Sequence, residues 1–181
     1  MPIRTVYGDA GLGNLGGTAT SLPVGYTLGE VRWDETGTKK YRLFYNAGGA
    51  SIPTGYACQF TKAGGGRYSV TVTTTSEVAT TAACVNHGVS TVPTISYFWG
   101  LVHGGPTTMR SSNVSIGTAV FVTFAASGCV IPATVPTQNH VAVNMGDAAV
   151  GASNVVTLLT DGVGGRFFVF FEDKPTWAIA T

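Results

Sequence analysis

The chain has 181 residues and a formal net charge of +1, and only 10% of its residues are charged, against about 25% in an average soluble domain. With 44% hydrophobic residues it is too apolar and too weakly charged for an intrinsically disordered protein. Its ten cationic residues run from Arg4 to Lys174 without forming the basic stripe that a nucleic-acid partner requires.

The N-terminus, Met1-Pro2-Ile3-Arg4, lacks the apolar core of a secretory signal. Residues 8 to 25 hold Gly8, Gly11, Gly13, Gly16, Gly17 and Gly25 with Pro23. Ordering so few side chains costs about 1–2 kcal/mol per residue, so residues 1–25 are expected to be an extended arm that orders against a partner. Strands are then expected at Tyr26 to Trp33, Lys40 to Asn46 and Tyr56 to Phe60, the last with Tyr56, Cys58 and Phe60 inward. Arg67 to Thr73 alternates polar and apolar residues at period two. Ala82 to Asn86 follows, then Ile95 to Val102, which is apolar on both faces. Val120, Val122 and Phe124 alternate again, as do Val141, Val143 and Met145. Asn154 to Thr160 and the two-faced Phe167 to Phe171 close the series.

Turn clusters separate these runs: Glu35-Thr36-Gly37-Thr38, Ala63-Gly64-Gly65-Gly66, Gly104-Gly105-Pro106 and Asp161 to Gly165. No window sustains a helical period, and the glycines between Met145 and Ser153 leave room for one helical turn at most. The expected class is all-β, a sandwich or small barrel of about ten short strands with a Gly-rich N-terminal arm. Residues 26–181 form one β domain in this reading, with room for two small lobes. No internal repeat of solenoid or propeller type is visible. Both longest apolar runs are far shorter than the ~20 residues of a membrane-spanning helix, so a soluble chain is expected, with no membrane and no nucleic acid among its partners.

Motifs for chemistry are weak. Gly11-Leu12-Gly13-Asn14-Leu15-Gly16 has dinucleotide spacing, but Thr18 to Pro23 is no helix start and no βαβ pattern exists. His103-Gly104-Gly105-Pro106 is like an esterase oxyanion loop, yet no G-x-S-x-G accompanies it and Gly49-Ala50-Ser51-Ile52-Pro53 lacks the closing glycine. A tight turn after a buried strand is expected there. His87, His103 and His140 share no ligand spacing, and Cys58, Cys84 and Cys129 make no C-x-x-C, so no metal and no redox pair is expected. Asp34-Glu35 and Glu172-Asp173 fall at strand ends, where solvated acids are ordinary. The densest cationic group, Arg32, Lys39, Lys40 and Arg42, reads as a charged hairpin facing water. Asn113-Val114-Ser115 is a sequon without a secretory route. No catalytic, cofactor or metal residue emerges, and an enzyme is not expected.

Two apolar two-faced strands, Tyr97-Phe98-Trp99 and Phe167 to Phe171, are many for one small domain, which suggests burial between subunits. The C-terminal half also resembles the phage capsid decoration (cement, head-stabilising) proteins in its cadence. That cadence runs from Tyr97 to Pro106, through Val114 to Val120 and Ala126 to Val130, to Ala148 to Ala152 and Val155 to Leu159. Trp33, Gly37, Lys40-Tyr41-Arg42, Asn46 and Thr54-Gly55-Tyr56 add a similar element. The resemblance implies a virion protein made in the host cytoplasm, a homotrimer seated on the capsid exterior with the major capsid protein as partner. It brings no catalytic residues. The alternative is a glycan-binding or tail- or fibre-associated β module, with Trp33, Trp99 and Trp177 as sugar platforms.

Overall fold

A computed structural model describes residues 12–61, 66–72, 82–88, 90–110, 121–124, 128–132, 142–144 and 167–171. Eleven strands are present among them: β1 (Thr18–Ala19), β2 (Val31–Trp33), β3 (Lys39–Asn46), β4 (Ala57–Phe60), β5 (Ser69–Val72), β6 (Ala82–Val85), β7 (Ser96–Thr107), β8 (Phe121–Phe124), β9 (Val130–Pro132), β10 (Ala142–Asn144) and β11 (Phe167–Phe170). The protein is all-β, without a helix among the described residues. β3, β5, β4, β6 and β7 close into a five-stranded barrel because β7 returns to pair with β3. The neighbours are antiparallel except for β3 and β5. β7 also carries β11 on its far half, and β10, β8 and β9 extend the sheet from there.

Alternation along β3 and β7 divides the core into two layers. Phe44, Cys58, Val70, Val72, Cys84, Phe98 and Val102 come from the five barrel strands and fill the interior. Tyr41, Leu43, Trp99 and Leu101 point the other way. They are covered by Leu12, Ala19 and Tyr26 from the N-terminal segment, and by Val122, Val130, Ala142, Phe167 and Val169. Both faces of the apolar β7 are thus enclosed by the chain itself: Phe98 and Trp99 are each 1% exposed. Phe167 is fully enclosed and Phe171 nearly so. Phe98, Trp99 and Phe167, which suggested burial between subunits, are therefore enclosed within one chain, while Phe168 is half-buried.

Of the expected arm, residues 12–25 are described. Leu12 is fully enclosed, its carbonyl accepts a 3.0 Å hydrogen bond from Trp99 Nε1, and β1 pairs with Tyr97 and Phe98 of β7. Residues 1–11 lie outside the described residues.

Several local expectations change. Between Tyr26 and Glu30 the backbone turns instead of extending, with Glu30 N donating to Thr27 O at 2.9 Å. The turn expected at His103 to Pro106 is strand, because β11 pairs with residues 103, 104 and 107 and gives their backbone a partner. Phe60 keeps the inward face of Cys58, opposite Val70 and 6.0 Å from Phe44, but at the barrel end it remains 38% exposed. In β10 the inward residue is Ala142, opposite Val122 and Val169, and Val143 is half-buried, the reverse of the expected alternation. A small side chain fits where two enclosed valines already meet. Val120, Val141, Met145 and Asn154 to Thr160 fall outside the described residues.

The barrel contains an internal two-fold correspondence. Asn46-Ala47-Gly48 leaves β3 and leads through Ile52-Pro53-Thr54-Gly55 into β4; Asn86-His87-Gly88 leaves β6 and leads through Val92-Pro93-Thr94-Ile95 into β7. Each asparagine amide donates to the carbonyl four residues ahead (Asn46 to Ala50 O at 3.0 Å, Asn86 to Ser90 O at 3.2 Å) and accepts from the glycine N–H two ahead. Each reaches across as well, Asn46 to Pro93 O and Asn86 to Ile52 O. Ile52 and Val92 exchange both backbone bonds, at 2.8 and 2.9 Å. Gly55 N donates to Asn86 O and Ile95 N to Asn46 O, at 2.7 and 3.0 Å. The pairings β3–β7 and β6–β4 are the two halves of the same relation.

Candidate functional site

Two outward features share β3. The first is an aromatic row. The β2–β3 hairpin is closed by Asp34, whose carboxylate accepts from Thr38 N at 2.8 Å, Lys39 N at 3.1 Å and Thr36 Oγ1 at 2.8 Å. Burial alone raises the Asp34 pKa, but these bonds outweigh it and hold the carboxyl below its ordinary value. The tight turn places Trp33 opposite Lys40, and Lys40 opposite His103 on β7. Trp33 is 52% exposed; its ring meets the edge of His103 at 6.4 Å, and His103 meets Phe168 of β11 at 5.2 Å. Val31, also exposed, lies in the next row opposite Arg42.

The second feature is a groove of about 430 Å³ lined by Arg42, Phe60, Arg67 and Tyr68, at the end of the barrel where β4 finishes and β5 begins. The fully enclosed Phe44 packs behind its walls, with its ring 6.0 Å from Phe60 and 6.4 Å from Tyr68. Tyr68 is held from two sides. Its ring lies over the backbone of Gly29, where an added Cβ would come within 2.1 Å of the ring. Arg42 Nη1 donates to Gly29 O at 2.9 Å and to the Tyr68 hydroxyl at 3.3 Å. The guanidinium carbons of Arg42 and Arg67 stand 5.2 and 5.7 Å from the Tyr68 ring centre. Two cations and two aromatic rings therefore face one concavity, and no carboxylate lines it among the described residues. Glu30, next in the chain to Gly29, is engaged by Arg32 at 3.1 Å and by Thr27 N.

The residues weighed for chemistry in the sequence are dispersed. His87 stacks on Tyr41 and shares a 3.1 Å hydrogen bond with Thr107, remote in role from His103; His140 is outside the described residues. Burial, with Lys39 nearby, pulls the His87 pKa down to about 4, against a smaller opposing pull from Asp34. Burial pushes the Cys129 thiol up, with Arg110 opposing, and Cys58 and Cys84 are enclosed at opposed positions of β4 and β6. Among the described residues no three of His, Cys, Asp and Glu come together. Leu12 to Gly16 leads into β1, so the G-x-G-x-x-G spacing opens no helix. Within the cationic group expected to face water, Arg32 instead lies 4.7 Å from both the Tyr26 and Trp99 rings. Glu172, Asp173 and Asn113 are outside the described residues. Of the tryptophans, Trp99 is buried, Trp33 is exposed and Trp177 lies outside the described residues.

The groove carried no signal in the sequence because its parts come from four separate places, Gly29, Arg42, Phe60 and Arg67-Tyr68. The local cue available, a cation beside a tyrosine before an alternating strand, is common. No family model, no curated protein and no solved structure matches the chain.

Proposed function

We propose that the chain is a non-enzymatic structural protein of a phage virion that binds the outer surface of the capsid and reinforces the lattice of the major capsid protein. The observation supporting this reading is the exposed Trp33 row. A tryptophan half in water, against His103, which in turn meets Phe168, on a protein with few charges has the make-up of an interface anchor. Phe98, Trp99 and Phe167 lend no separate support, since the chain itself encloses them. Self-association into a trimer belongs to the same proposal. Binding only the assembled shell stabilises that state by mass action, and weak contacts repeated over a symmetric lattice add by avidity.

The test is co-sedimentation with undecorated capsids of the phage that encodes the chain, using the native protein and Trp33→Ala. Binding that falls at least tenfold in the variant supports the proposal; a native protein left in the supernatant rejects it. A second reading, a glycan-binding or tail-associated module, is favoured by the same exposed Trp33 ring. It predicts saccharide binding that Trp33→Ala abolishes and no capsid binding.

A further inference from the structure

We infer that the groove at the barrel end is a binding site for a carboxylate carried on a flat or apolar-faced ring, the chemistry shared by aromatic acids and hexuronates. It lies apart from the Trp33 row and does not depend on capsid docking. Its volume falls within the usual range for small-molecule sites, about 300–1,000 Å³, and barrel mouths are among their common locations.

The charge pattern selects the ligand. Arg67 is exposed and contributes a guanidinium whose planar donors match a carboxylate. Arg42 adds a second positive charge from a position fixed by Gly29 O and the Tyr68 hydroxyl. Phe60, 38% exposed, and the Tyr68 ring offer apolar walls that the buried Phe44 backs. An inorganic anion would satisfy the guanidinium and leave these rings wet. A neutral ring would cover them and make no use of the Arg67 guanidinium. A ring bearing a carboxylate does both.

The site is also built in advance of any ligand. Gly29 has φ of +84°, in the left-handed region, and lacks the side chain that would displace Tyr68. Arg42 ties that backbone to the tyrosine hydroxyl. A pre-set wall lowers the ordering cost of binding.

The experiment is two-dimensional NMR titration of the full chain with four probes: benzoate, a trigalacturonate, the neutral maltotriose and inorganic phosphate. Shifts of Phe60, Arg67 and Tyr68 resonances with benzoate or trigalacturonate support the inference, and the tighter of the two names the source of the acid. Arg67→Gln, on an exposed side chain, is expected to weaken acid binding about tenfold with an unchanged melting curve. Phe60→Ala weakens it as well. If Arg67→Gln unfolds, Phe60→Ala carries the same decision. The inference is overturned if neither acid shifts these resonances at millimolar concentration. It is equally overturned if phosphate or maltotriose binds as well as the acids, or if folded Arg67→Gln binds them unchanged.

Discussion

The corner at residues 46–56 and the corner at residues 86–96 solve one problem with different side chains. Both must take the chain from a barrel strand across the end of the barrel and into the next, and both use an asparagine amide in place of a backbone turn. The shared parts, Asn46 and Asn86, Gly48 and Gly88, Pro53 and Pro93, are the ones that make hydrogen bonds or fix the backbone. The parts that differ point elsewhere: Ala47 against His87, and Gly55 against Ile95. Backbone pairing therefore imposes the two-fold relation, and side chains at unpaired positions are free to depart from it.

The largest effect should come from the asparagines. Each is at most 1% exposed and serves two carbonyls and one N–H. Truncating either to alanine removes three hydrogen bonds, although Pro93 O keeps Ser96 Oγ and Ile52 O keeps Val92 N. Asn46→Ala and Asn86→Ala are each expected to cost about 2–4 kcal/mol in urea unfolding. Each reaches into the other corner, so the double variant should cost less than the sum. Strict additivity would break the comparison by showing that the corners are energetically separate.

His87 sharpens it through pH. Its folded pKa of about 4 lies below the ordinary 6.5, so the fold favours the neutral ring and the unfolded chain binds more protons between these values. Stability is then complete above pH 6.5 and falls as pH drops toward 4. Between pH 7.5 and 5 the loss should be about 2 kcal/mol. Asp34 does not enter that window, because its ordinary pKa is 3.8 and its folded value is lower. His87→Gln should flatten the slope across the window, while Ala47→His, in the opposite corner, asks whether position alone creates it. A native protein equally stable at both pH values would refute the assignment.

The same pair of corners marks how far the sequence could be read. All-β class and most strand positions followed from period-two alternation, a local property, and a small barrel was one of the two architectures expected. The Asn-x-Gly and Ile/Val-Pro-Thr signature was in plain view, yet a search for solenoid or propeller repeats passes over it, because only the corner residues match and the flanking strands do not. Ala142 was misplaced for a related reason. A crowded row opposite Val122 and Val169 is set by neighbours far away in sequence. The groove was out of reach on the same grounds, since the fit of Tyr68 over Gly29 joins segments that no local pattern links.

The smallest effect lies at the last position of each corner. Gly55 and Ile95 have φ of +78° and +53°, and Ile95 is the one non-glycine with positive φ among the described residues. Both donate the reciprocal bonds that lock the corners together, so the conformation is imposed by pairing and the side chain must accept it. For a β-branched residue this costs about 1–2 kcal/mol, and little burial offsets it, since Ile95 is 65% exposed. Gly55→Ala should therefore destabilise by about 1 kcal/mol. Ile95→Gly should stabilise by about 0.5 kcal/mol, its relief of strain partly cancelled by the greater freedom of an unfolded glycine. Opposite signs in one set of melting curves would show two equivalent positions under the same backbone demand, one met by its residue and one not. If Ile95→Gly destabilises instead, the exposed isoleucine has a packing role that outweighs its strain, and the equivalence ends at the backbone.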